Sequence, residues 1–183
     1  SRAERIKETA AAGVAGLRAR GVRTFRILTG DREAAARDVA VALGISAYDA
    51  GLRPEDKLAV LETMLRESAG RPLAFVGDGI NDAPVLRRAD VGVAMGGIGS
   101  DAAVEAADVV LMGDDPGRLV DAVYIGQRTR KIIFQNIALA LVVKGLFLTL
   151  GGFGMADLWE AIIADVGVAL LAILNSMRVY RGV

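Results

Sequence analysis

The sequence contains no cysteine and no histidine among its 183 residues. These absences exclude disulfides, zinc-finger ligand sets, thiol nucleophiles and imidazole bases within this segment. Any metal chemistry here must therefore use oxygen ligands. The 22 basic and 22 acidic residues cancel, so the chain has no overall positive field that would attract nucleic acid, and we expect no such partner.

Charged residues are also few, at 24%, whereas hydrophobic residues reach 53% and the mean hydropathy is +0.40. These values are high for a purely soluble domain. The apolar residues concentrate in two runs, residues 132–152 and 158–177, each about 20 residues long and able to cross a bilayer core of about 30 Å. We therefore predict two transmembrane helices; the alternative is that both are buried core helices of a soluble protein.

The connection between the runs, residues 153–157, is too short to recross a membrane, so the two helices are predicted to form a hairpin. The outer ends of both helices are basic, and the positive-inside rule places them in the cytoplasm. The residues concerned are Arg128, Arg130, Lys131, Arg178 and Arg181.

Residues 1–118 alternate between helical stretches and short β-rich runs that end in Gly or Asp. This alternation predicts an α/β domain of Rossmann type with a parallel sheet. Residues 119–131 are predicted to form an amphipathic linker helix, and residues 132–183 the hairpin with a short tail. The expected helices are 4–20, 32–43, 54–68 and 100–106, and the expected strands are 24–28, 73–76, 91–94 and 109–112.

The chain begins with Ser1 and has no apolar run typical of a signal peptide in its first 20 residues. We interpret it as a piece whose true N-terminus lies upstream.

Two loops that follow predicted strands carry polar residues suited to anion or metal binding. Thr29, Gly30 and Asp31 follow the first strand, although the same triplet also makes an ordinary turn with Asp31 as an N-cap. Lys57, in the first turn of the next helix, could place a point charge on a phosphate. By itself, Lys57 fits a solvated lysine better than a phosphate ligand.

The second loop, residues 77–84, reads Gly-Asp-Gly-Ile-Asn-Asp-Ala-Pro. It brings two carboxylates, Asp78 and Asp82, and the amide of Asn81 into five residues after a buried strand. Hard oxygen ligands of this kind suit Mg²⁺, which binds proteins through one or two carboxylates plus phosphate and water. The alternative is a turn that is merely rich in Gly and Asp.

In order and spacing, the two loops and Lys57 resemble the later motifs of haloacid-dehalogenase-like phosphotransferases. The sequence of residues 28–31, 77–84 and 100–112 resembles the phosphorylation domain of P-type ATPases in particular. The resemblance implies that residues 1–118 are the C-terminal part of that domain, a Rossmann-type half-domain. The resemblance implies ATP as substrate and Mg²⁺ as cofactor, with Asp78 as the metal ligand. The implied supporting roles are Asp82 and Asn81 at the metal and phosphoryl site, Thr29, Gly30 and Lys57 on the phosphoryl oxygens, and Asp31 in orienting the loop and nucleotide.

Members of that family transfer a phosphoryl group from ATP to the aspartate of an Asp-Lys-Thr-Gly-Thr motif. No such string occurs in these 183 residues. The piece alone is therefore expected neither to phosphorylate itself nor to pump ions, and it would need the upstream parts of the same pump.

Two opposite charges interrupt the apolar runs at matching depth. Lys144 and Asp165 each lie about 18 Å from the outer ends of their helices, so they could form an ion pair. Charges inside a membrane usually face a partner or a functional site. The simpler alternative is an ion pair that only locks the two helices together.

The pattern of Asn136 and Lys144 in the first run, with Asp165, Gly167 and Asn175 in the second, resembles the last two membrane helices of the zinc, cadmium and lead exporters among heavy-metal P-type ATPases. The resemblance implies a transported-ion site formed by these five residues. It also implies a divalent Zn, Cd or Pb cargo and a multi-pass location in the plasma membrane.

Two other readings stay open from the sequence. A membrane-anchored phosphatase of the haloacid dehalogenase superfamily would need an Asp-x-Asp nucleophile, and Asp31 and Asp38 lack that spacing. A non-catalytic remnant of a pump would carry the same motifs without turnover.

Overall fold

The computed structural model describes residues 2–77, 80–95, 101–113, 115–155 and 157–182. The chain divides into two compact units, with the boundary between Val120 and Asp121. The first unit is α/β, and the second is helical.

The first unit opens with helix α1 (Arg2–Ala19), strand β1 (Arg26–Leu28), helix α2 (Glu33–Leu43) and strand β2 (Ala47–Asp49). The two strands are parallel, with Ile27 opposite Tyr48. Helix α2 ends at Gly44, whose left-handed φ of 63° lets its N–H bond to the carbonyls of Ala40 and Val41. This tight exit returns the chain to the sheet.

Helix α3 (Pro54–Glu67) leads to the second sheet, made of β3 (Ala74–Gly77), β4 (Val91–Met95) and β5 (Val109–Leu111). All three strands are parallel, with β4 in the middle. A 3₁₀ turn (Ile80–Asp82) and helix α4 (Ala83–Arg88) connect β3 to β4, and helix α5 (Asp101–Ala106) precedes β5.

The core of the first unit lies between α4 and the second sheet. Leu86 and Ala94 are buried there, and Phe75 and Val110 pack against them. Gly92 of β4 allows α4 to approach closely, because a Cβ at this position would lie 2.4 Å from the Leu86 carbonyl oxygen. This close contact packs α4 directly against β4.

The second unit contains most of helix α6 (Arg118–Gly152), helix α7 (Leu158–Ser176) and a final 3₁₀ segment (Met177–Gly182). By length and composition, α6 and residues Trp159–Val179 could each cross a membrane. Only 6% of each apolar window is buried within the described structure. This exposure disfavours the alternative of buried core helices, because such helices would be mostly covered.

The expected α/β class followed by two apolar helices is confirmed, and the predicted helices and strands appear with ends shifted by one or two residues. Three details differ. Strand β2 was not predicted, because Ala47–Asp49 has neither a run of β-branched residues nor a clear alternation. Residues 119–131 do not form a separate helix but continue into α6, since no proline interrupts this stretch.

The third difference concerns the sheet. We predicted one parallel sheet, whereas the described strands pair as two, β1–β2 and β3–β4–β5. Among the described strands, β1 and β3 each pair along one edge only. The two sheets are linked in sequence by α3, and β2 and β5 likewise pair along one edge only among the described strands.

Candidate functional site

Thr29, Gly30 and Asp31 form a closed turn directly after β1. The Thr29 hydroxyl donates to Asp31 Oδ2 and accepts from the Asp31 backbone N–H, both at 3.1 Å. Asp31 therefore turns back onto Thr29 rather than acting as an N-cap, and the cap position of α2 belongs to Arg32. The alternative of an ordinary capping turn is not what the structure shows.

The loop after β2 supports this turn from the other side. Gly51 N–H donates to the Asp31 carbonyl at 2.8 Å, and Leu52 N–H donates to the Thr29 carbonyl at 3.0 Å. A Cβ on Gly30 would lie 3.2 Å from the Leu52 carbonyl oxygen, which is tighter than ordinary contact. Sequence reasoning missed Gly51 and Leu52. The only sequence signal for a turn here was a glycine shortly before a helix that begins with proline. Gly51 has a φ of 65°, a backbone conformation that favours glycine.

Lys57 and Asp82 form an ion pair between the first turn of α3 and the end of the second loop. Lys57 Nζ lies 2.8 Å from Asp82 Oδ1, and the two side chains are 17% and 11% exposed. Lys57 is therefore not a solvated lysine. Because α3 begins two residues after Leu52, the same segment that holds the Thr29 turn also carries Lys57 toward Asp82.

Asp82 is the one buried charged residue recorded among the described residues. It packs against Gly77 at the end of β3, where a Cβ would lie 3.0 Å from both Cβ and Oδ2 of Asp82. Asn81, its neighbour in the 3₁₀ turn, is exposed. The predicted Mg²⁺ ligand Asp78 lies outside the described residues, and no cluster of three or more acidic residues occurs within them.

In the helical unit, Lys144 of α6 faces Asp165 of α7. Lys144 Nζ lies 3.2 Å from Asp165 Oδ1, and the two side chains are 62% and 61% exposed within the described structure. The predicted pairing is therefore present. Both side chains remain accessible, so further groups could contact the pair.

Asn136 and Asn175 lie elsewhere on the same two helices and bond to each other. Asn175 Nδ2 donates to Asn136 Oδ1 at 2.8 Å. Asn136 Nδ2 donates to the Ala172 carbonyl at 3.2 Å and to Ser176 Oγ at 3.0 Å. Gln135 Oε1 accepts a longer bond of 3.4 Å from Asn175. Sequence reasoning missed Ser176 and Gln135, although Gln135 beside Asn136 is a polar pair at the start of an apolar run.

The five residues predicted as one ion site thus occupy two levels of the hairpin. Asn136 precedes Lys144 by eight residues, which is about 12 Å along a helix. Gly167 lies two residues beyond Asp165, and nothing would contact a Cβ there within 4 Å. The structure brings Lys144 together with Asp165, and Asn136 together with Asn175, as separate pairs.

The α/β unit matches a known class of enzyme. Residues 2–90 match the family model for haloacid dehalogenase-like hydrolases. Strands β1, β2 and β3, the Thr29 turn and the Lys57–Asp82 pair fall within this match.

Proteins similar over nearly the whole chain name a narrower group. The chain is 54% identical to a zinc-transporting ATPase of Synechocystis sp. over 179 residues, covering 98% of this chain and 25% of that protein. It is 53% identical to a cadmium, zinc and cobalt-transporting ATPase of Bacillus subtilis, covering 98% of this chain and 26% of that protein. A crystal structure of a zinc-transporting PIB-type ATPase in the E2.Pi state superposes with a TM-score of 0.85 at 41% identity, covering 92% of this chain and 27% of that chain.

Over nearly its whole length the chain is similar to heavy-metal-transporting P-type ATPases, and it consists of a haloacid dehalogenase-like α/β unit followed by two apolar helices. It spans about a quarter of the length of the relatives it matches.

Proposed function

We propose that this chain is part of an ATP-driven exporter of divalent heavy-metal cations such as zinc, cadmium or lead. The observation that carries the proposal is the Lys144–Asp165 pair. It places an acid and a base opposite each other within two apolar helices that continue from a phosphoryl-transfer fold. A purely anchoring hairpin has no need of buried charge, which is costly in a membrane.

The α/β unit would supply the phosphoryl-binding half of the ATPase reaction. At the end of β1, Thr29 presents a hydroxyl group, and Gly30 lets the backbone approach the phosphoryl group closely. Asp31 holds this turn closed. Lys57 would place its charge on the phosphoryl oxygens, since phosphoryl transfer depends on positioning and charge stabilisation. Asp82 fixes the position of the Lys57 ammonium.

The donor set of the second loop fits Mg²⁺, because it consists of carboxylate and amide oxygens. Asp78 would bind the metal, with Asp82 and Asn81 in support. Asp82 Oδ1 is already paired with Lys57, which leaves Oδ2 as the oxygen available on that side chain. When bound, the metal would neutralise charge on the phosphoryl group.

The phosphoryl acceptor would come from an upstream part of the same pump, since no Asp-Lys-Thr-Gly-Thr string occurs in the 183 residues. The unpaired edges of β1 and β3 support this proposal. A parallel strand placed between them would deliver its carboxyl end beside both the Thr29 turn and the loop after β3.

In the membrane, Asp165 would provide an oxygen ligand or counter-charge for the cation. Lys144 would pair with Asp165 when the ion has left, since the two side chains are close enough to form an ion pair. An acid faced by a lysine suits a divalent ion better than copper(I), which favours soft thiolate and thioether ligands. Asn136 and Asn175 would contribute at a second level of the same path, and Gly167 would leave room beside Asp165.

The proposed location is the plasma membrane, with both outer ends of the hairpin in the cytoplasm. The basic residues at those ends support this orientation.

The test is Asp165→Ala in the full-length pump that contains this chain, reconstituted in lipid. We expect zinc-stimulated ATP hydrolysis to be lost, because the cation loses its charged partner. The matched control is Glu160→Gln in the first turn of the same helix, which retains a group able to accept from Asp157 N–H. If zinc stimulates ATP hydrolysis by Asp165→Ala as strongly as by the control, then Asp165 is not part of the transport site.

A further inference from the structure

The outer ends of α6 and α7 carry a set of cations that the proposed transport mechanism does not use. We define the basic band as Arg128, Arg130, Lys131 and Arg178. No residue of the band forms an ion pair with any described residue. The band is therefore positive without an internal counter-ion in the described structure.

The acids of the helical unit lie away from the band. Residues 122–156 and 166–183 contain no Asp or Glu. The nearest acid along α6 is Asp121, seven residues before Arg128 and about 10 Å away along the helix. Asp157 and Glu160 lie at the opposite end of the hairpin, and Asp165 is paired with Lys144.

Two of the four cations are fixed by contacts that join the helix ends. Arg128 Nη2 donates to the Arg178 carbonyl at 2.5 Å, and Arg128 Nη1 donates to the Tyr124 hydroxyl at 3.0 Å. Arg178 Nη1 donates to Asn175 Oδ1 at 3.0 Å. These guanidinium groups are held in place by neutral acceptors, so their charge is positioned but not neutralised.

The other two cations are exposed. Arg130 lies over the Phe134 ring, with its guanidinium carbon 5.7 Å from the ring centroid. No hydrogen bond or ring contact is formed by Lys131 with the described residues. Arg130 and Lys131 follow one another on α6, so they point to different sides of the helix. The band therefore presents positive charge around the helix rather than in a single pocket.

The position of the band, just before the first apolar run and just after the second, decides the partner. Four cations and an aromatic ring at the border of two membrane helices match the phosphate level of a bilayer, where Lys and Arg are attracted to anionic lipid. We propose that the basic band selects anionic phospholipid headgroups in the lipid shell around the hairpin. The proposal rests on the membrane insertion proposed above but concerns a surface separate from the ion path.

The experiment places the 183-residue chain in phosphatidylcholine nanodiscs with spin-labelled phosphatidylglycerol or spin-labelled phosphatidylcholine. Electron spin resonance then measures the fraction of each label that is motionally restricted by the protein. We expect phosphatidylglycerol to be preferred by about fivefold or more, the factor that one cation near an anionic surface supplies. Raising the salt concentration should reduce the preference.

The test variant is Arg130→Gln with Lys131→Gln, chosen because neither side chain holds the helix ends together. The preference should fall about fivefold or more but not vanish, because Arg128 and Arg178 keep their charges, and Arg130→Lys with Lys131→Arg should retain the full preference. The matched control, Arg37→Gln with Arg87→Gln, removes two exposed cations from the α/β unit and should leave the preference unchanged.

Four results would overturn the proposal. An unchanged preference in the Gln variant, or an equal loss in the control, would show that the band does not select lipid. Loss of the preference on adding inorganic phosphate, but not chloride at equal ionic strength, would assign the band to free phosphate. If neither lipid label is motionally restricted, the hairpin is not inserted in the membrane, and the proposed function fails together with this inference. The other results contradict only this inference.

Discussion

At the scale of single residues, the chain depends on a few side chains whose partners are distant in sequence. Lys57 and Asp82 were both singled out from the sequence, but their 2.8 Å pairing was not predicted. The motifs specify which residues carry charge. The pairing of Lys57 with Asp82 depends on the fold, which brings the first turn of α3 next to Asp82. Gly92 gave no sequence signal at all, because its closeness to Leu86 is a property of packing.

Removing one partner of the Lys57–Asp82 pair should destabilise the α/β unit. Lys57→Met leaves a carboxylate that is 11% exposed without its partner, and a cost of about 3 kcal/mol is expected. The double variant Lys57→Met with Asp82→Leu should recover much of that loss, because it leaves no unpaired charge. Urea unfolding of the full chain in detergent, followed by pulse proteolysis, measures both. A double variant no more stable than Lys57→Met would contradict the argument.

Gly92→Ala should be destabilising for a steric reason. The added Cβ would lie 2.4 Å from the Leu86 carbonyl oxygen and 3.0 Å from its carbon, so backbone must move. We expect a loss of about 2 kcal/mol in the free energy of unfolding. Gly145→Ala is the control, since nothing lies within 4 Å of a Cβ there. Equal stabilities of the two variants would show that β4 and α4 separate easily.

At the scale of elements, most helices and strands could be predicted from the sequence. The features that were missed depend on pairing between residues distant in sequence. Strand β2 is three residues long and is stabilised by pairing with β1. Its sequence, Ala-Tyr-Asp, has no strong preference for a strand. The division of the parallel strands into two sheets likewise depends on long-range pairing. The two apolar helices were predictable because a continuous run of about 20 apolar residues is typical of a membrane-spanning helix.

The hydrogen bonds between Asn136 and Asn175 should stabilise the packing of α6 against α7. Asn136→Leu removes the acceptor of Asn175 and the bonds to Ala172 and Ser176. We expect the helix pair to lose about 1 kcal/mol, the usual size of such bonds in a membrane. Titration with sodium dodecyl sulfate, followed by fluorescence of the single tryptophan, Trp159, measures the change.

The control for Asn136→Leu is Gln135→Leu at the next position, which removes only the 3.4 Å bond. Its effect should be clearly smaller. Equal effects of the two variants would mean that general polarity at the helix end, and not the Asn136–Asn175 bond, holds the helices together.

At the scale of the whole molecule, two separate motif sets point to one family. The cytoplasmic-type motifs and the Lys144–Asp165 pair belong to different units, and each unit alone would leave other readings open. A haloacid dehalogenase-like fold by itself is compatible with a phosphatase, and a charged hairpin by itself with an anchor. Their combination in one chain, 53% identical to a metal-transporting ATPase over 98% of this chain and 26% of that protein, supports the proposed role as part of a pump.

Phosphorylation by ATP tests how the parts cooperate. The 183-residue chain should take up no acid-stable label from ATP, because it lacks an Asp-Lys-Thr-Gly-Thr acceptor. The full-length pump should be labelled in the presence of zinc and Mg²⁺, and Asp78→Asn should abolish that label by removing the proposed metal carboxylate. The matched control is Asp108→Asn, just before β5 and away from the loop, where an amide oxygen can still accept from Gly92 N–H.

Each outcome of the labelling experiment has a definite meaning. Label on the isolated chain would identify an acceptor that the motif analysis did not find and would favour an independent phosphatase-like activity. Normal labelling of Asp78→Asn at millimolar Mg²⁺ would shift the metal to the other carboxylate of the loop, Asp82. That shift would require Asp82 to bind through Oδ2 while Oδ1 stays with Lys57, so Asp82→Asn should then abolish the label instead.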